Sequence, residues 1–223
     1  MIEAVFFGSI GTLVEVTDMQ RRAFNAAFAE AGLDWHWSEE QYLPLLRQSG
    51  GQARIQRFAQ SRGETVDAAA LHTAKVDAFA RMMASDGLSL RPGVRDTIDA
   101  AKASGMKLAF VTSTGKDQSD AIFDALGCSL QRDEFDYVGD RSRVARAKPA
   151  PDIYLDALQT LDLSSRDVIA IEDTPICAEA AMAARIVTIG FANDGVGDQL
   201  FPDDVTAVQT LSPYLLQSRS AAA

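Results

Sequence analysis

Four short apolar runs, separated by helical patterns, constrain the fold of this chain more than any other feature. They are rich in β-branched or aromatic residues and are bounded by turn residues, which is typical of strands buried on both faces. Helical patterns lie between successive runs, and strands that alternate with helices predict a parallel α/β sheet. The runs are AVFF (4–7), KLAFVT (107–112), DVIAIED (167–173) and RIVTIGF (185–191).

The segment 16–88 has a different pattern. Its apolar residues recur at helical spacing through several successive segments, and no strand pattern interrupts them. We therefore predict a core formed by 1–15 and 89–223, with an all-helical domain, 16–88, inserted after the first strand. The final residues, SRSAAA (218–223), are expected to form a frayed tail.

Composition excludes several classes of partner and site. The formal net charge of −10 argues against binding to nucleic acid or to an anionic membrane, because those surfaces are held largely by Lys and Arg. Cys128 and Cys177 lie far apart without C-x-x-C spacing, which predicts neither a disulfide framework nor a zinc site. The N-terminus lacks a basic region typical of a signal peptide, and no apolar run could span a bilayer. We expect a cytoplasmic protein.

The candidate site follows from the predicted sheet. In an open parallel sheet, ligands bind at the carboxyl ends of the strands, near the point where the strand order reverses. Four polar or glycine-containing clusters fall at such positions, so we expect them to lie together. They are Gly8–Thr12, Thr112–Ser113, Lys148 and Glu172–Asp173.

Some of these residues also have ordinary structural interpretations. Asp173 could cap the helix that begins near Pro175, and Lys148 could be a turn lysine. Arg54 follows a glycine pair that would allow close approach of a ligand, but it could equally be a solvated helix residue. His36 and His72 have no partner at ligand spacing, so we interpret them as surface or packing residues.

The ordered motifs resemble those of the haloacid dehalogenase-like phosphatases, in the branch of CbbY and β-phosphoglucomutase that carries a helical cap. The resemblance implies a Rossmann-like core with that cap, and two cap segments also look like CbbY proteins: RRAFNAAFAEAGLDW (21–35) and SGGQARIQRF (49–58). The four core motifs are VFFGSIGTL (5–13), LAFVTST (108–114), AKPAPDIY (147–154) and VIAIEDT (168–174).

The resemblance also implies roles for individual residues. Members of this branch are Mg²⁺-dependent phosphatases of phosphorylated sugars. By position, Thr112, Ser113 and Lys148 would hold the phosphate, and Glu172 and Asp173 would hold the metal. The corresponding substrate-contacting positions of the cap are Gln20, Gln52 and Arg54. The implied partner is a small phosphorylated metabolite or an inorganic anion, and the family suggests a monomer.

The first motif departs from the family at its two catalytic positions. The attacking aspartate is replaced by Gly8 and the acid/base aspartate by Ile10, so no catalytic residue can be assigned. Ser9 lies between them, and on an extended segment its hydroxyl would face away from the pocket. Gln20 and Gln52 stand where the family has His and Lys, and Cys177 stands where it has Gly.

These departures predict weakened Mg²⁺ binding and leave three hypotheses for function. Two carboxylates and one Lys give the site a formal charge of −1 in place of the family's −3. The first hypothesis is a CbbY-like protein that binds an anion or sugar phosphate without normal hydrolysis. The alternatives are an active, divergent phosphohydrolase and a regulatory or structural protein without catalysis.

Overall fold

The strands form one parallel sheet, seen in a computed structural model that describes residues 1–46, 50–192 and 200–217. The strand order is β3-β2-β1-β4-β5-β6, and every neighbouring pair is parallel. The predicted parallel α/β sheet is therefore confirmed. The strands are β1 (Ala4–Phe7), β2 (Lys107–Val111), β3 (Tyr137–Gly139), β4 (Val168–Glu172), β5 (Val187–Phe191) and β6 (Thr206–Val208).

Two of these strands were not predicted. β3 and β6 contain only three residues each, which is too short to show a periodicity in the sequence. The four predicted strands form, but several are one or two residues shorter than the apolar runs that predicted them. The predicted tail, 218–223, lies outside the described residues.

The helices follow the predicted alternation. One group lies between β1 and β2, and single helices join most of the later strands. Within the described residues, no helix combines the length and the hydropathy that crossing a bilayer requires. The helices are α1 (Thr17–Glu30), α2 (Glu39–Leu45), α3 (Gly51–Arg62), α4 (Ala68–Asp86), α5 (Val94–Ala103), α6 (Lys116–Leu126), α7 (Asp152–Leu161), α8 (Pro175–Ala183) and α9 (Tyr214–Gln217).

The chain divides into two compact units. The described part of the first comprises 1–15, 88–192 and 200–217, and that of the second comprises 16–46 and 50–87. The second unit is helical, and α4 packs against α1 and α3 within it. Its core is an aromatic cluster in which Trp35 and Trp37 are buried. The assignment of 1–15 and 89–223 as the core, and of 16–88 as the cap, stays a prediction.

The candidate site lies at the centre of the sheet. β1 lies between β2 and β4, and all four of its residues are fully buried. The chain leaves β1 at Phe7 and turns back, because the backbone N–H groups of Thr12 and Leu13 both donate to the carbonyl of Ser9. This turn lies beside the carboxyl ends of β2 and β4, where the strand order reverses.

Candidate functional site

A cavity of about 170 Å³ lies at the carboxyl ends of β1, β2 and β4. Seven residues of the four clusters named from the sequence line it, so the predicted clustering of the strand ends is present in the structure. They are Ser9, Ile10, Thr112, Ser113, Lys148, Glu172 and Asp173, and the lining also includes Val111, Thr114, Thr174 and Cys177.

Gly8 borders this site and is buried. Its backbone N–H donates to the carbonyl of Ile171 at 3.0 Å, which continues the sheet pattern one residue beyond β1. A Cβ atom at this position would lie 2.5 Å from Oγ1 of Thr12 and 2.6 Å from Oε2 of Glu172. Real Cβ contacts are longer than this, so the side chain of Glu172 lies beside the space that an aspartate at position 8 would need.

Lys148 and Glu172 form a buried ion pair. The Lys148 side chain is 4% exposed and that of Glu172 is 1% exposed. Oε1 of Glu172 accepts hydrogen bonds from Nζ of Lys148 and from the hydroxyl of Tyr154, and Nζ also donates to the carbonyl of Val111 at 3.1 Å. Burial opposes the charged ammonium, but the Glu172 carboxylate, with further contributions from Cys177 and Asp173, outweighs that effect, so the pKa of Lys148 is raised.

Tyr154 belongs to this network, although no sequence motif assigned it to the candidate site. Burial, followed by the adjacent Glu172 carboxylate, raises the pKa of its phenol well above the ordinary value, so the hydroxyl stays protonated and donates. The motif AKPAPDIY contains it, but only packing of α7 against the sheet shows that it reaches Glu172.

The other candidate phosphate and metal residues, Thr112, Ser113 and Asp173, differ in burial and in hydrogen bonding. Thr112 is buried, and its Oγ1 accepts from the backbone N–H of Thr114 at 3.1 Å, which fixes the turn into α6. Ser113 is exposed. The alternative interpretation of Asp173 as a helix cap is wrong, because Thr174 occupies the N-cap position of α8 and its side chain accepts from the N–H of Cys177.

Ser9 is 5% exposed and is one of the residues that line the cavity. The direction of its hydroxyl, expected to face away from the pocket, stays a prediction. Its Oγ has no hydrogen-bond partner among the described residues. No base is therefore positioned to activate this hydroxyl as a nucleophile.

Cys177 lies on the first turn of α8 and lines the same cavity. Burial, with a further contribution from Glu172, raises the pKa of its thiol to about 12. The thiolate is the nucleophilic form, so this cysteine is poorly suited to nucleophilic catalysis at neutral pH.

The candidate substrate residues of the helical unit fall into two groups. Gln52 is exposed on α3. Arg54 is 7% exposed, and its Nε donates to the carbonyl of Leu45 at 3.0 Å. Its guanidinium also lies 5.6 Å from the ring centroid of Tyr42. The interpretation of Arg54 as a solvated residue is therefore wrong.

Gln20 contacts a charged residue that the sequence analysis missed. Its side-chain carbonyl accepts a hydrogen bond from Nζ of Lys75, which is 7% exposed. The ammonium lies 5.0 Å from the ring centroid of Phe24 and 4.9 Å from that of Phe79. Burial, and secondarily the charge of Arg54, lower the pKa of Lys75 to about 8. The sequence did contain an indication that Lys75 is buried. It lies on the apolar face of α4, four residues before Phe79, so the two side chains are neighbours on the helix surface.

The residues at the metal position do not fit Mg²⁺ well. This cation requires near-octahedral coordination by oxygen atoms. Position 8 supplies no carboxylate, one oxygen of Glu172 is already bonded to Lys148 and Tyr154, and a thiol lies beside the acidic pair. We therefore assign no Mg²⁺-dependent step to this site.

Comparisons with known proteins show the family to which the chain belongs. Residues 2–185 match the family model of the haloacid dehalogenase-like hydrolases. The protein CbbY of Rhodobacter capsulatus is 40% identical over 188 residues, which are 83% of each chain. CbbY of Cereibacter sphaeroides is 40% identical over 197 residues, which are 86% of each chain.

Solved structures show the same relationship. A crystal structure of CbbY from Rhodobacter sphaeroides in complex with phosphate has a TM-score of 0.76 and 35% identity, covering 94% of this chain and 95% of that one. A mutant of the same CbbY was solved with xylulose-(1,5)-bisphosphate. A putative β-phosphoglucomutase from Thermotoga maritima, 20% identical with a TM-score of 0.77 and full coverage of both chains, shares the fold. The chain therefore belongs to the haloacid dehalogenase-like hydrolase family, in its CbbY-like branch.

Proposed function

We propose that this protein binds inorganic phosphate or a sugar phosphate at the cavity of the α/β unit without hydrolysing it by the family mechanism. The proposal rests on the residue at position 8, which is glycine. It has no carboxylate to attack phosphorus, and the Glu172 side chain lies close to the space that an aspartate would need. Loss of a catalytic nucleophile typically lowers turnover by about 10⁴- to 10⁶-fold.

The groups that would hold an anion support the binding part of the proposal. Lys148 supplies a buried positive charge, and Thr112 and Ser113 supply hydroxyl groups at the end of β2. Because Lys148 already contacts Glu172, an anion would have to share or displace that contact. We therefore expect weaker phosphate binding than a free buried ammonium would give.

Binding is tested by calorimetric titration of inorganic phosphate in the presence of EDTA. We expect saturable binding that Lys148→Met abolishes and that Lys102→Met, which removes an exposed lysine of α5, leaves unchanged. A ligand that binds only the folded state also raises the free energy of unfolding by RT ln(1 + [L]/Kd), so the melting temperature should rise with phosphate concentration. Absence of both effects would favour the regulatory or structural alternative.

Hydrolysis is tested with a panel of sugar phosphates, xylulose bisphosphate included, in Mg²⁺. We expect no turnover above the uncatalysed rate. Turnover that disappears in Lys148→Met would support the divergent phosphohydrolase instead, and its loss in Ser9→Ala would identify the substitute nucleophile. Far-ultraviolet circular dichroism of each variant is the control for folding.

A further inference from the structure

The guanidinium of Arg91 joins the ends of two strands that are not neighbours in the sheet. Its Nη1 donates to the backbone carbonyls of Gly11 and Phe191, the second at 3.0 Å, and its Nη2 donates to the carbonyl of Ala192 at 2.6 Å. Gly11 lies in the turn that follows β1, whereas Phe191 is the last residue of β5. Because β4 separates β1 from β5, Arg91 ties the turn to a strand two positions away in the sheet.

The plane of this guanidinium is fixed by an aromatic ring. Cζ of Arg91 lies 3.5 Å from the ring centroid of Phe191, a residue that is 1% exposed. A planar guanidinium can stack on an aromatic face while its edge donates hydrogen bonds, which the ammonium of a lysine cannot reproduce. The stacking and the hydrogen bonds together hold Arg91 in one orientation, so it constrains the positions of the carbonyls that it contacts.

The backbone at Arg91 holds the other end of the same turn. The N–H of Arg91 donates to the carbonyl of Leu13 at 2.8 Å, and Leu90 pairs with Val14 in an isolated antiparallel bridge. Within the turn, the N–H of Gly11 donates to the carbonyl of Val14 at 2.7 Å. Gly11 has a φ of 84°, in the left-handed region that favours glycine. The carbonyls of Gly11 and Leu13 are therefore both bonded to one residue.

The turn held in this way contributes to the cavity of the α/β unit. Ser9 and Ile10, which precede Gly11, line that cavity. The turn is internally hydrogen-bonded, because two of its N–H groups donate to the carbonyl of Ser9. A shift of the Gly11 carbonyl would therefore displace Ser9 and Ile10 as well. Among the described residues, the cavity lining does not include Arg91, so its effect on a bound anion must pass through the turn.

We propose that Arg91 is a positioning residue, which holds the turn 8–13 in the conformation that lines the cavity and thereby maintains the cavity's affinity for phosphate. The consequence for binding rests on the proposed function, whereas the consequence for the turn does not. A role limited to fold stability would instead change global unfolding, and it would leave the turn and the affinity of the folded protein unchanged.

The test compares Arg91→Met with Arg95→Met. Arg95 lies on α5 and forms ion pairs with Asp99 and Glu134, so its loss removes charge contacts that do not involve the turn. Arg91→Lys is the conservative variant, because it keeps a positive charge but lacks the planar guanidinium. It should give values between those of the unaltered protein and Arg91→Met in each measurement.

Two measurements separate positioning from global stability. Amide hydrogen exchange without ligand, followed by NMR, should be at least about tenfold faster at Gly11 and Leu13 in Arg91→Met than in Arg95→Met, relative to the amides of β4, which report global unfolding. Calorimetric titration of inorganic phosphate in EDTA should show at least about tenfold weaker affinity for Arg91→Met and unchanged affinity for Arg95→Met.

Unchanged exchange at the turn relative to β4 would overturn the proposal. So would unchanged phosphate affinity of Arg91→Met, when the unaltered protein binds phosphate. If the unaltered protein binds no phosphate, the proposed function fails, and the exchange rates alone decide whether Arg91 holds the turn. Should Arg91→Met fail to fold, Arg91→Lys is compared with Arg95→Lys, and it must still show faster exchange at the turn.

Discussion

Glycine at position 8 affects the site through the space it leaves as well as through the carboxylate it lacks. Glu172 and Thr12 lie against that space, and Glu172 is held there by Lys148 and Tyr154. Returning an aspartate to this position would therefore require the buried network to rearrange. Ile10, the second altered position, cannot exchange a proton with a leaving group.

We expect Gly8→Ala to lower the free energy of unfolding by about 1–3 kcal/mol, because the added methyl group overpacks the site. Gly115→Ala is the comparison, since a Cβ there meets nothing within 4 Å and the change should cost only the smaller penalty of alanine at the N-cap of α6. Urea unfolding measures both changes. Equal stability of the two variants would show that Glu172 and Thr12 move away without cost.

Gly8→Asp alone should not restore phosphatase activity. General acid–base catalysis contributes about 10²- to 10⁴-fold, and Ile10 cannot supply it. We expect its turnover of sugar phosphates in Mg²⁺ to stay at least about 10²-fold below that of a CbbY relative assayed in parallel. A rate equal to that of the relative would contradict both this expectation and the role given to Ile10.

The Lys148–Glu172 pair should show strong coupling in a double-mutant cycle. Lys148→Met leaves Glu172 as an unpaired buried charge, and Glu172→Gln does the same to Lys148, so each should cost about 3–5 kcal/mol. The double variant removes both charges and should cost less than the sum of the single changes. Additive losses in urea unfolding would show that the pair is not coupled.

At the scale of elements, strand ends and helix starts position the groups of the site. β1, β2 and β4 end side by side, so residues far apart in the chain meet at one edge of the sheet. The start of a helix is determined by residues that are close together in the sequence. Asp67 caps α4, and its side chain accepts from the N–H groups of Ala69 and Ala70 at 3.1 and 2.9 Å.

Asp67→Ala should lower the free energy of unfolding by about 0.5–2 kcal/mol, because the first turn of α4 loses its side-chain acceptor. Asp77→Ala is the control, since this exposed residue lies in the interior of the same helix, where alanine is favourable. Thermal unfolding monitored by circular dichroism compares the two. A larger loss for Asp77→Ala would contradict the assignment of the cap.

At the scale of the whole molecule, buried charge links stability to pH. The pKa of Lys75 falls from an ordinary value of 10.5 to about 8 in the folded protein. At pH 7 the ammonium is protonated in both states, and the burial penalty is fully present. Between about pH 8 and 10.5 the unfolded state binds more protons than the folded one, so this group makes stability rise with pH in that window.

Lys75→Met should remove that contribution. We expect the variant to be more stable than the unaltered protein at pH 7, and the difference to shrink by about pH 9.5 as the native ammonium loses its proton. Urea unfolding at the two pH values measures this, with Lys102→Met as the control for an exposed lysine. A stability difference that does not change with pH would show that the pKa of Lys75 is not lowered.

The sequence by itself determined the elements and the family, whereas the tertiary structure decided how the site's residues contact each other. Apolar runs and helical patterns are local properties, so they predicted the parallel sheet, and the ordered motifs identified the CbbY-like branch. The three-residue strands β3 and β6 escaped prediction because they form only against their neighbours in the sheet. The contact of Tyr154 with Glu172 and the burial of Lys75 also required the structure. These depend on packing between segments distant in the chain, which no local pattern encodes.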